Sequence, residues 1–145
     1  MPAYRLYHNP IYQRLVSRFG VGKVFILSAG WGLVSAQFLL PNYDITFSPM
    51  APPFKRRRRS DFYRDFCMLA DDTDVIAFVG GKEYVPLFCS LTKEANVEKV
   101  IFFNSSVTPQ LPIGYKAVRY STTTRTNWHY ECANDLIEGC LYLNA

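Results

Sequence analysis

The chain has 145 residues, the length of one compact domain. Hydrophobic residues make up 49% of it and charged residues 19%, which excludes an intrinsically disordered chain. The formal net charge is +4, yet the run 55–59 (KRRRR) is basic throughout, and the other 140 residues hold 11 Lys and Arg against 12 Asp and Glu. The excess charge is therefore local. This excludes a generally basic protein that coats nucleic acid and leaves room for a local contact with an anion.

Membrane, metal and cofactor signals are missing from the sequence. No apolar run reaches the roughly 18 residues of a membrane span, and the first residues lack the apolar core of a signal peptide, so we expect a cytoplasmic protein without membrane contact. The cysteines form no CxxC pair and lie in apolar contexts, which predicts buried free thiols: Cys67, Cys89, Cys132 and Cys140. With only two distant histidines, His8 and His129, the sequence predicts neither a metal site nor a cofactor.

The first half of the chain predicts two helices and one strand. Apolar residues recur at helical spacing over 10–19, and a short apolar run over 23–27 predicts a buried strand. A turn rich in small residues follows at 28–34. Prolines and the basic run predict a loop over 48–60, after which a second helix is expected to include Phe66.

The second half alternates strands and helices. Strands are predicted over 75–79 and 100–103, with a weaker one over 117–120, and helices over 84–91 and from Trp128 onward. Helices that alternate with short, continuously apolar strands are typical of a parallel sheet. The sequence therefore predicts an α/β fold: a single three-layer domain over 1–145, with a mostly parallel sheet of about four strands flanked by helices.

Small or polar residues follow three of the predicted strands. They are Ser28, Ala29, Gly30, Trp31 and Gly32; Gly80, Gly81 and Lys82; and Asn104, Ser105 and Ser106. At the carboxyl edge of a parallel sheet, backbone N–H groups in such loops suit an anion or a carbonyl oxygen. The same glycines equally fit tight turns. Neither glycine loop is a Walker A or GxGxxG motif, so the sequence does not indicate an ordinary nucleoside triphosphate or dinucleotide site.

Two further segments carry polar candidates. Arg125, Thr126 and Asn127 precede the last helix, where a guanidinium, hydroxyls and a helix N-terminus are typical of a phosphate or ribose site. Helix capping explains the same residues, and His129 beside them fits either a ligand contact or a packed side chain. Asp44 is a candidate general base or ribose ligand, with an Asx turn as the alternative.

The basic run permits three interpretations. It consists of Lys55, Arg56, Arg57, Arg58 and Arg59. It fits a contact with a nucleic-acid backbone, a loop that binds another polyanion, or a solvated charged face. Aromatic residues flank it at Phe54 and Phe62, which offers stacking partners for single-stranded bases.

Four short motifs together resemble a known family. In order they are the segments 6–12 (LYHNPIY), 26–34 (ILSAGWGLV), 41–46 (PNYDIT) and 79–85 (VGGKEYV). This order resembles the YaaA-like superfamily, which contains the peroxide-stress YaaA proteins and smaller bacterial and phage domains of unknown function. The resemblance covers about residues 4–91, and residues 92–145 match no pattern of that family. In the smaller relatives a strand usually precedes the first helix. Only three residues precede Tyr4 here, so we expect this strand to be absent, replaced by another segment, or missing from the given sequence.

The resemblance implies a shared pocket. Carried over position by position, its residues are Ser28, Ala29, Gly30, Gly32, Tyr43, Asp44, Gly81 and Tyr84. The larger YaaA proteins resemble DNA-associated proteins with a helix-hairpin-helix element. This chain lacks that element, so the resemblance does not extend to their function.

Three function hypotheses follow. The first is a domain that binds a nucleotide or nucleobase, with enzymatic action at an N-glycosidic or related bond left open. In it, backbone groups at Ser28 and Gly81 position the ligand. Asp44 holds ribose or acts as a base, Arg125 neutralises phosphate, and Tyr43, Tyr84 or Trp31 stacks on the base. The second is a nucleic-acid-binding accessory protein without catalysis that uses the basic run. The third is a protein-interaction module in phage–host conflict.

Overall fold

The computed structural model describes residues 2–3, 10–39, 47, 57, 65–69, 73–121 and 128–139. The helices in these ranges are α1 (Ile11–Phe19), α2 (Val85–Thr92) and α3 (Trp128–Ile137), with short 3-10 helices at Val21–Lys23 and Lys82–Tyr84. The strands are β1 (Phe25–Ser28), β2 (Gly32–Ser35), β3 (Phe66–Cys67), β4 (Val75–Phe78), β5 (Glu98–Phe103) and β6 (Tyr115–Arg119). None of these helices is long and apolar enough to cross a membrane.

The described strands form two three-stranded sheets, where the sequence predicts one sheet of about four strands. The predicted α/β character itself is confirmed. In the first sheet, β1 and β2 are antiparallel, with Phe25 opposite Ser35 and Ser28 opposite Gly32, and β3 pairs parallel to β2. We call β1–β2–β3 the hairpin sheet. In the second, β4, β5 and β6 are all parallel, and we call it the parallel sheet.

Each face of the parallel sheet is covered by one helix. On one face, Val100 and Phe102 of β5 pack with Cys132 of α3. On the other face, Ile101 packs with Phe88 of α2. Alternate residues of β5 are thus buried on opposite sides, which explains why this strand reads as a continuous apolar run.

Helix α1 contacts both α3 and the hairpin sheet. Tyr12 packs against the buried Ile26 and Val34, and its ring meets the edge of Tyr130 in α3 at a centroid distance of 6.4 Å. At the other end of α1, Arg18 Nε donates a hydrogen bond to the Ile137 carbonyl oxygen (3.2 Å). The amphipathic pattern that predicts α1 from sequence therefore corresponds to a helix that bridges two parts of the core.

The prediction of a helix that includes Phe66 is wrong at this residue, because Phe66 lies in strand β3. The Phe66 N–H donates to the Trp31 carbonyl oxygen (2.8 Å), and the Met68 N–H donates to that of Leu33 (2.9 Å). These long-range backbone bonds override the local helical spacing. Cys67 is exposed, which corrects the expectation of a buried thiol, whereas Cys132 is buried as predicted.

Candidate functional site

The predicted ligand loop at Ser28–Gly32 is the turn of a β-hairpin. Ser28 is buried, and its Oγ accepts a hydrogen bond from the Gly30 N–H (3.2 Å). Because β1 and β2 are antiparallel, this turn does not follow a strand of the parallel sheet. The prediction that three loops end neighbouring parallel strands is therefore wrong for this loop, and holds for the segments after β4 and β5.

Gly32 has a structural role in this turn. Its φ of +93° lies in the region that favours glycine. A Cβ there would lie 2.8 Å from the Cβ of Asp65 and closer still to the carbonyl oxygen of Phe66. The close approach of β2 to β3 thus accounts for this glycine without a ligand.

Arg57 anchors the basic run to the hairpin turn. Its Nη1 donates to the Ala29 carbonyl oxygen (2.9 Å), and its two amino groups bind the two carboxylate oxygens of Asp65 at 2.8 and 2.9 Å. Both side chains are buried, at 5% and 8% exposure. We call Arg57, Asp65 and the Ala29 carbonyl the Arg57 clamp. A bidentate, charge-assisted pair of this kind fixes the orientation of the guanidinium as well as its position.

The clamp corrects one predicted nucleic-acid contact. Arg57 is buried against its own protein, so we assign it a structural role and remove it from the predicted contact residues. Sequence alone does not separate it from its neighbours, because all five residues of the run are cations. The other four, Lys55, Arg56, Arg58 and Arg59, lie outside the described residues.

A chain of contacts connects the clamp to Tyr84. The guanidinium carbon of Arg57 lies 5.4 Å from the ring centroid of Phe47. Phe47 in turn meets the Tyr84 ring edge-on, at 5.0 Å and 86°. The structure therefore links the hairpin turn to Tyr84, which belong to two predicted parts of the ligand site, through two intervening side chains. Phe47, which makes this connection, and Asp65, which holds Arg57, were not among the predicted site residues.

Tyr12 lies near two other tyrosines. Its ring meets the edge of Tyr130 at a centroid distance of 6.4 Å, and Tyr84 is close enough to act on its charge. Burial, together with the nearby Tyr130 and Tyr84, raises the pKa of Tyr12 well above its usual value. Tyr12 is thus a neutral phenol over the physiological range, able to donate and accept hydrogen bonds but unsuited to act as a base.

The glycines after β4 differ in their surroundings. A Cβ on Gly80 would lie 3.0 Å from the Phe78 ring, whereas one on Gly81 would meet nothing within 4 Å. Packing therefore restricts Gly80 and leaves open space over Gly81. Lys82 is exposed and begins the 3-10 helix that ends at Tyr84.

The polar loop after β5 is occupied by contacts within the protein. Asn104 Nδ2 donates to the Tyr120 carbonyl oxygen (2.8 Å). Arg119 donates to the carbonyl oxygens of Ser105 and Ser106, and its guanidinium lies over the Phe103 ring at 4.6 Å. These bonds give the loop a structural function at the ends of β5 and β6.

His129 is packed among aromatic rings. Its ring centroid lies 4.2 Å from that of Tyr130 and 6.0 Å from that of Trp128. Burial lowers the pKa of His129, so it is mainly neutral at pH 7. These contacts agree with the packed alternative for this residue. Tyr43, Asp44, Arg125, Thr126 and Asn127 lie outside the described residues, so their predicted roles stay predictions.

An aromatic patch occupies the hairpin sheet. We define it as Trp31, Phe38 and Phe66. The rings of Trp31 and Phe66 are parallel within 3° at a centroid distance of 6.4 Å, and Phe38 lies 5.7 Å from Phe66. Phe66 is 44% exposed. Of the three, the sequence marked only Trp31 as a stacking candidate, since Phe66 was assigned to a helix face.

No family model, curated protein or solved structure matches this chain. The resemblance to the YaaA-like superfamily therefore stays a prediction. Over the part of the chain that the structure describes, no three His, Cys, Asp or Glu side chains gather in a way that would hold a metal ion.

Proposed function

We propose that this protein binds a nucleotide or nucleobase where the hairpin turn meets the Gly80–Tyr84 segment. The observation that carries the proposal is the Arg57 clamp. It holds the middle of a five-residue basic run against the Ala29 carbonyl, and through Phe47 it reaches Tyr84. The cations of the run, the aromatic rings and the tyrosine hydroxyls are the groups that suit the phosphate, base and sugar of a nucleotide.

Each part of the ligand has a proposed partner. Lys55, Arg56, Arg58 and Arg59 neutralise the phosphate, since Arg57 is already bound to Asp65. The hydroxyls of Tyr84 and its tyrosine neighbours form hydrogen bonds with the polar edges of the base and sugar. The open space at Gly81 lets the ligand approach the backbone. Asp44 and Arg125 keep their proposed contacts with ribose and phosphate.

We also propose that the domain has three layers. Helix α2 on one face of the parallel sheet and helix α3 on the other support this arrangement. In such a fold, ligands bind beyond the carboxyl ends of the parallel strands, where the Gly80–Tyr84 segment lies.

Thermal unfolding in the presence of nucleotides tests the proposal. We expect nucleoside phosphates at millimolar concentration to raise Tm more than nucleosides or inorganic phosphate do, because a ligand that binds only the folded state stabilises it. Replacing Lys55, Arg56, Arg58 and Arg59 together by Ser, with Arg57 retained, should abolish the difference between nucleotides and nucleosides. The matched control replaces the exposed Lys93 and Lys116, which lie outside the proposed site, by Ser and should leave it intact.

Two results would contradict the proposal. One is that no nucleotide, nucleoside or base changes Tm, and the other is that both Ser variants lose the nucleotide effect equally. Chromatography of the same samples for released base tests whether binding leads to N-glycosidic cleavage. Asp44→Asn should suppress any release that the unaltered protein shows.

A further inference from the structure

We infer that the outer face of helix α1, with the turn after it, binds the phosphate backbone of a nucleic-acid duplex. We call this surface the α1 face and define it by its exposed cations, Arg14, Arg18 and Lys23. It shares no residue with the proposed nucleotide site. The inference therefore adds a second binding surface and stands without the proposed function.

The positive charge of the α1 face has no counter-charge nearby in the sequence. Residues 1–43 hold four Lys and Arg and no Asp or Glu, and all 12 acidic residues lie at or after Asp44. Within the part of the chain that the structure describes, no carboxylate forms an ion pair with Arg14, Arg18 or Lys23. The near-neutral balance outside the basic run thus contains a local excess of cations, which attracts an anionic partner.

Arg14 and Arg18 lie on the same side of α1. They are four residues apart, which places one above the other at about 6 Å along the helix axis. Gln13 and Ser17, the residues before them, are also exposed, so this side of the helix is polar. A row of cations suits a row of phosphates better than a single anion, since a duplex carries one negative charge per roughly 1.7 Å of its axis.

The Arg18 side chain is held in place by its own protein. Its Nε donates to the Ile137 carbonyl oxygen (3.2 Å), and its guanidinium carbon lies 5.1 Å from the centroid of the exposed Phe19 ring. The hydrogen bond uses Nε and leaves the two amino groups for a ligand. A side chain that is already restricted loses less conformational entropy on binding, which favours Arg18 as a phosphate contact.

The turn after α1 is open to a bulky partner. A Cβ on Gly20 or Gly22 would meet no atom within 4 Å. Lys23 follows directly and is exposed. A phosphate backbone can therefore approach the chain closely between Arg18 and Lys23.

Two other anionic partners fit the α1 face less well. An amphipathic helix binds a membrane by burying its apolar side among the lipids, but Ile11 and Tyr12 on the apolar side of α1 pack inside the protein. An acidic protein would need an apolar centre for a stable interface, and the exposed Phe19 lies at one end of the helix. A duplex backbone is bound through its phosphates, so we commit to this occupant.

Fluorescence anisotropy with a labelled DNA duplex of random sequence tests the inference. We expect Arg14→Gln combined with Arg18→Gln to weaken binding roughly tenfold at low salt and to reduce the slope of log K against log salt by about 2, because each phosphate contact contributes about 0.9 to that slope. The matched control, Lys93→Gln combined with Lys116→Gln, removes the same charge from exposed positions elsewhere and should leave the slope unchanged.

Two single variants separate charge from structure. Arg18→Lys keeps the cation and removes the Nε bond to Ile137, so the salt slope should stay as in the unaltered protein. Arg14→Gln changes an exposed side chain, and it should reduce the slope by about 1 even if the double variant fails to fold. Circular dichroism of each variant shows whether it is folded. A slope that falls with Arg18→Lys and not with Arg14→Gln would mean that Arg18 acts through the fold, and the inference would fail.

Other results would also overturn the inference. One is that the duplex does not bind, and another is that the Lys93 and Lys116 control loses as much affinity as the α1 variant. A third is that binding disappears only when the basic run is replaced by Ser. A fourth is that vesicles containing phosphatidylserine bind through Arg14 and Arg18 while the duplex does not. None of these results changes the effect of nucleotides on Tm, so the proposed function is tested separately.

Discussion

The parallel sheet is buried on both faces of its central strand, whereas the hairpin sheet leaves one strand, β3, exposed to solvent. In β5, five consecutive residues, Lys99–Phe103, are buried. In β3, Phe66 and Cys67 are both exposed. The parallel sheet is packed by apolar side chains from α2 and α3, while the buried Arg57 clamp joins the loop segments around the hairpin sheet.

Under the proposed function, this difference distinguishes the supporting region from the binding region. Close apolar packing between helices and a sheet gives a rigid support. A buried ion pair gives little net stability for its desolvation cost, but it fixes the position of the chain that carries it. The residue fixed here is Arg57, in the middle of the basic run. Under the proposed function, we therefore expect binding beside the hairpin sheet, with the parallel sheet as its support.

The largest expected effect concerns the Arg57 clamp. Arg57→Met should lower the free energy of unfolding by about 3 kcal/mol, because it leaves the buried Asp65 carboxylate without its partner. Urea denaturation followed by circular dichroism measures the loss. It would show that the buried Asp65 carboxylate needs its partner, whereas no such charge is at stake in the apolar packing of the parallel sheet.

A double variant is the control for that experiment. Arg57→Met combined with Asp65→Leu leaves no buried charge, so its loss should be smaller than that of Arg57→Met alone. If the double variant loses the sum of the two single losses, Arg57 and Asp65 act independently. The clamp would then not be the reason for the stability of this region.

A second prediction compares two glycines with similar backbone conformation. Gly32 and Gly114 both have positive φ, +93° and +98°, but only Gly32 lies against another strand. Gly114→Ala should cost about 1 kcal/mol for the strained φ. Gly32→Ala should cost about 2 kcal/mol more, since its Cβ would collide with backbone atoms of β3. Equal losses in urea denaturation would show that β3 can move away from β2 without cost.

The smallest effect concerns pH and helix α3. Burial lowers the pKa of His129 in the folded protein below its ordinary value of 6.5. As pH falls below 6.5, the unfolded chain takes up a proton before the folded protein does, so the free energy of unfolding decreases. Above that pH, the stability linked to His129 is fully present. His129→Gln should remove part of this slope in urea denaturation between about pH 5 and 7. The same measurement on His8→Gln shows how much of the slope belongs to the other histidine, and an unchanged slope in His129→Gln would contradict the prediction.

Local patterns predicted the helices and the parallel strands. Helix α1 and strands β4 and β5 lie within a few residues of the predicted ranges, because apolar periodicity is a property of neighbouring residues. The hairpin was not predicted, since Gly30 and Gly32 suit a strand-to-helix turn as well as a hairpin turn. Strand β3 was missed because its partners, Trp31 and Leu33, lie more than thirty residues away in the chain.

The sequence anticipated part of the spatial arrangement around the candidate site, whose role in binding stays a prediction. Ser28, Ala29 and Tyr84 were predicted to share a site, and the structure connects the turn and Tyr84 through Arg57 and Phe47. The inward orientation of Arg57 could not be predicted, because it depends on an aspartate eight residues later meeting a carbonyl 28 residues earlier. No helical or strand spacing in the sequence relates Arg57, Asp65 and the Ala29 carbonyl.

The pairing of β2 with β3 also has a consequence for the order of folding. Strands β1 and β2 pair across a turn of three residues, so they can associate as soon as they are synthesised. Joining Gly32 to Phe66 requires the closure of a much longer loop, and that closure costs chain entropy before any contact offsets it. We therefore expect the hairpin to form early and β3 to be added late, with the Arg57 clamp closing over the finished sheet as one of the final steps.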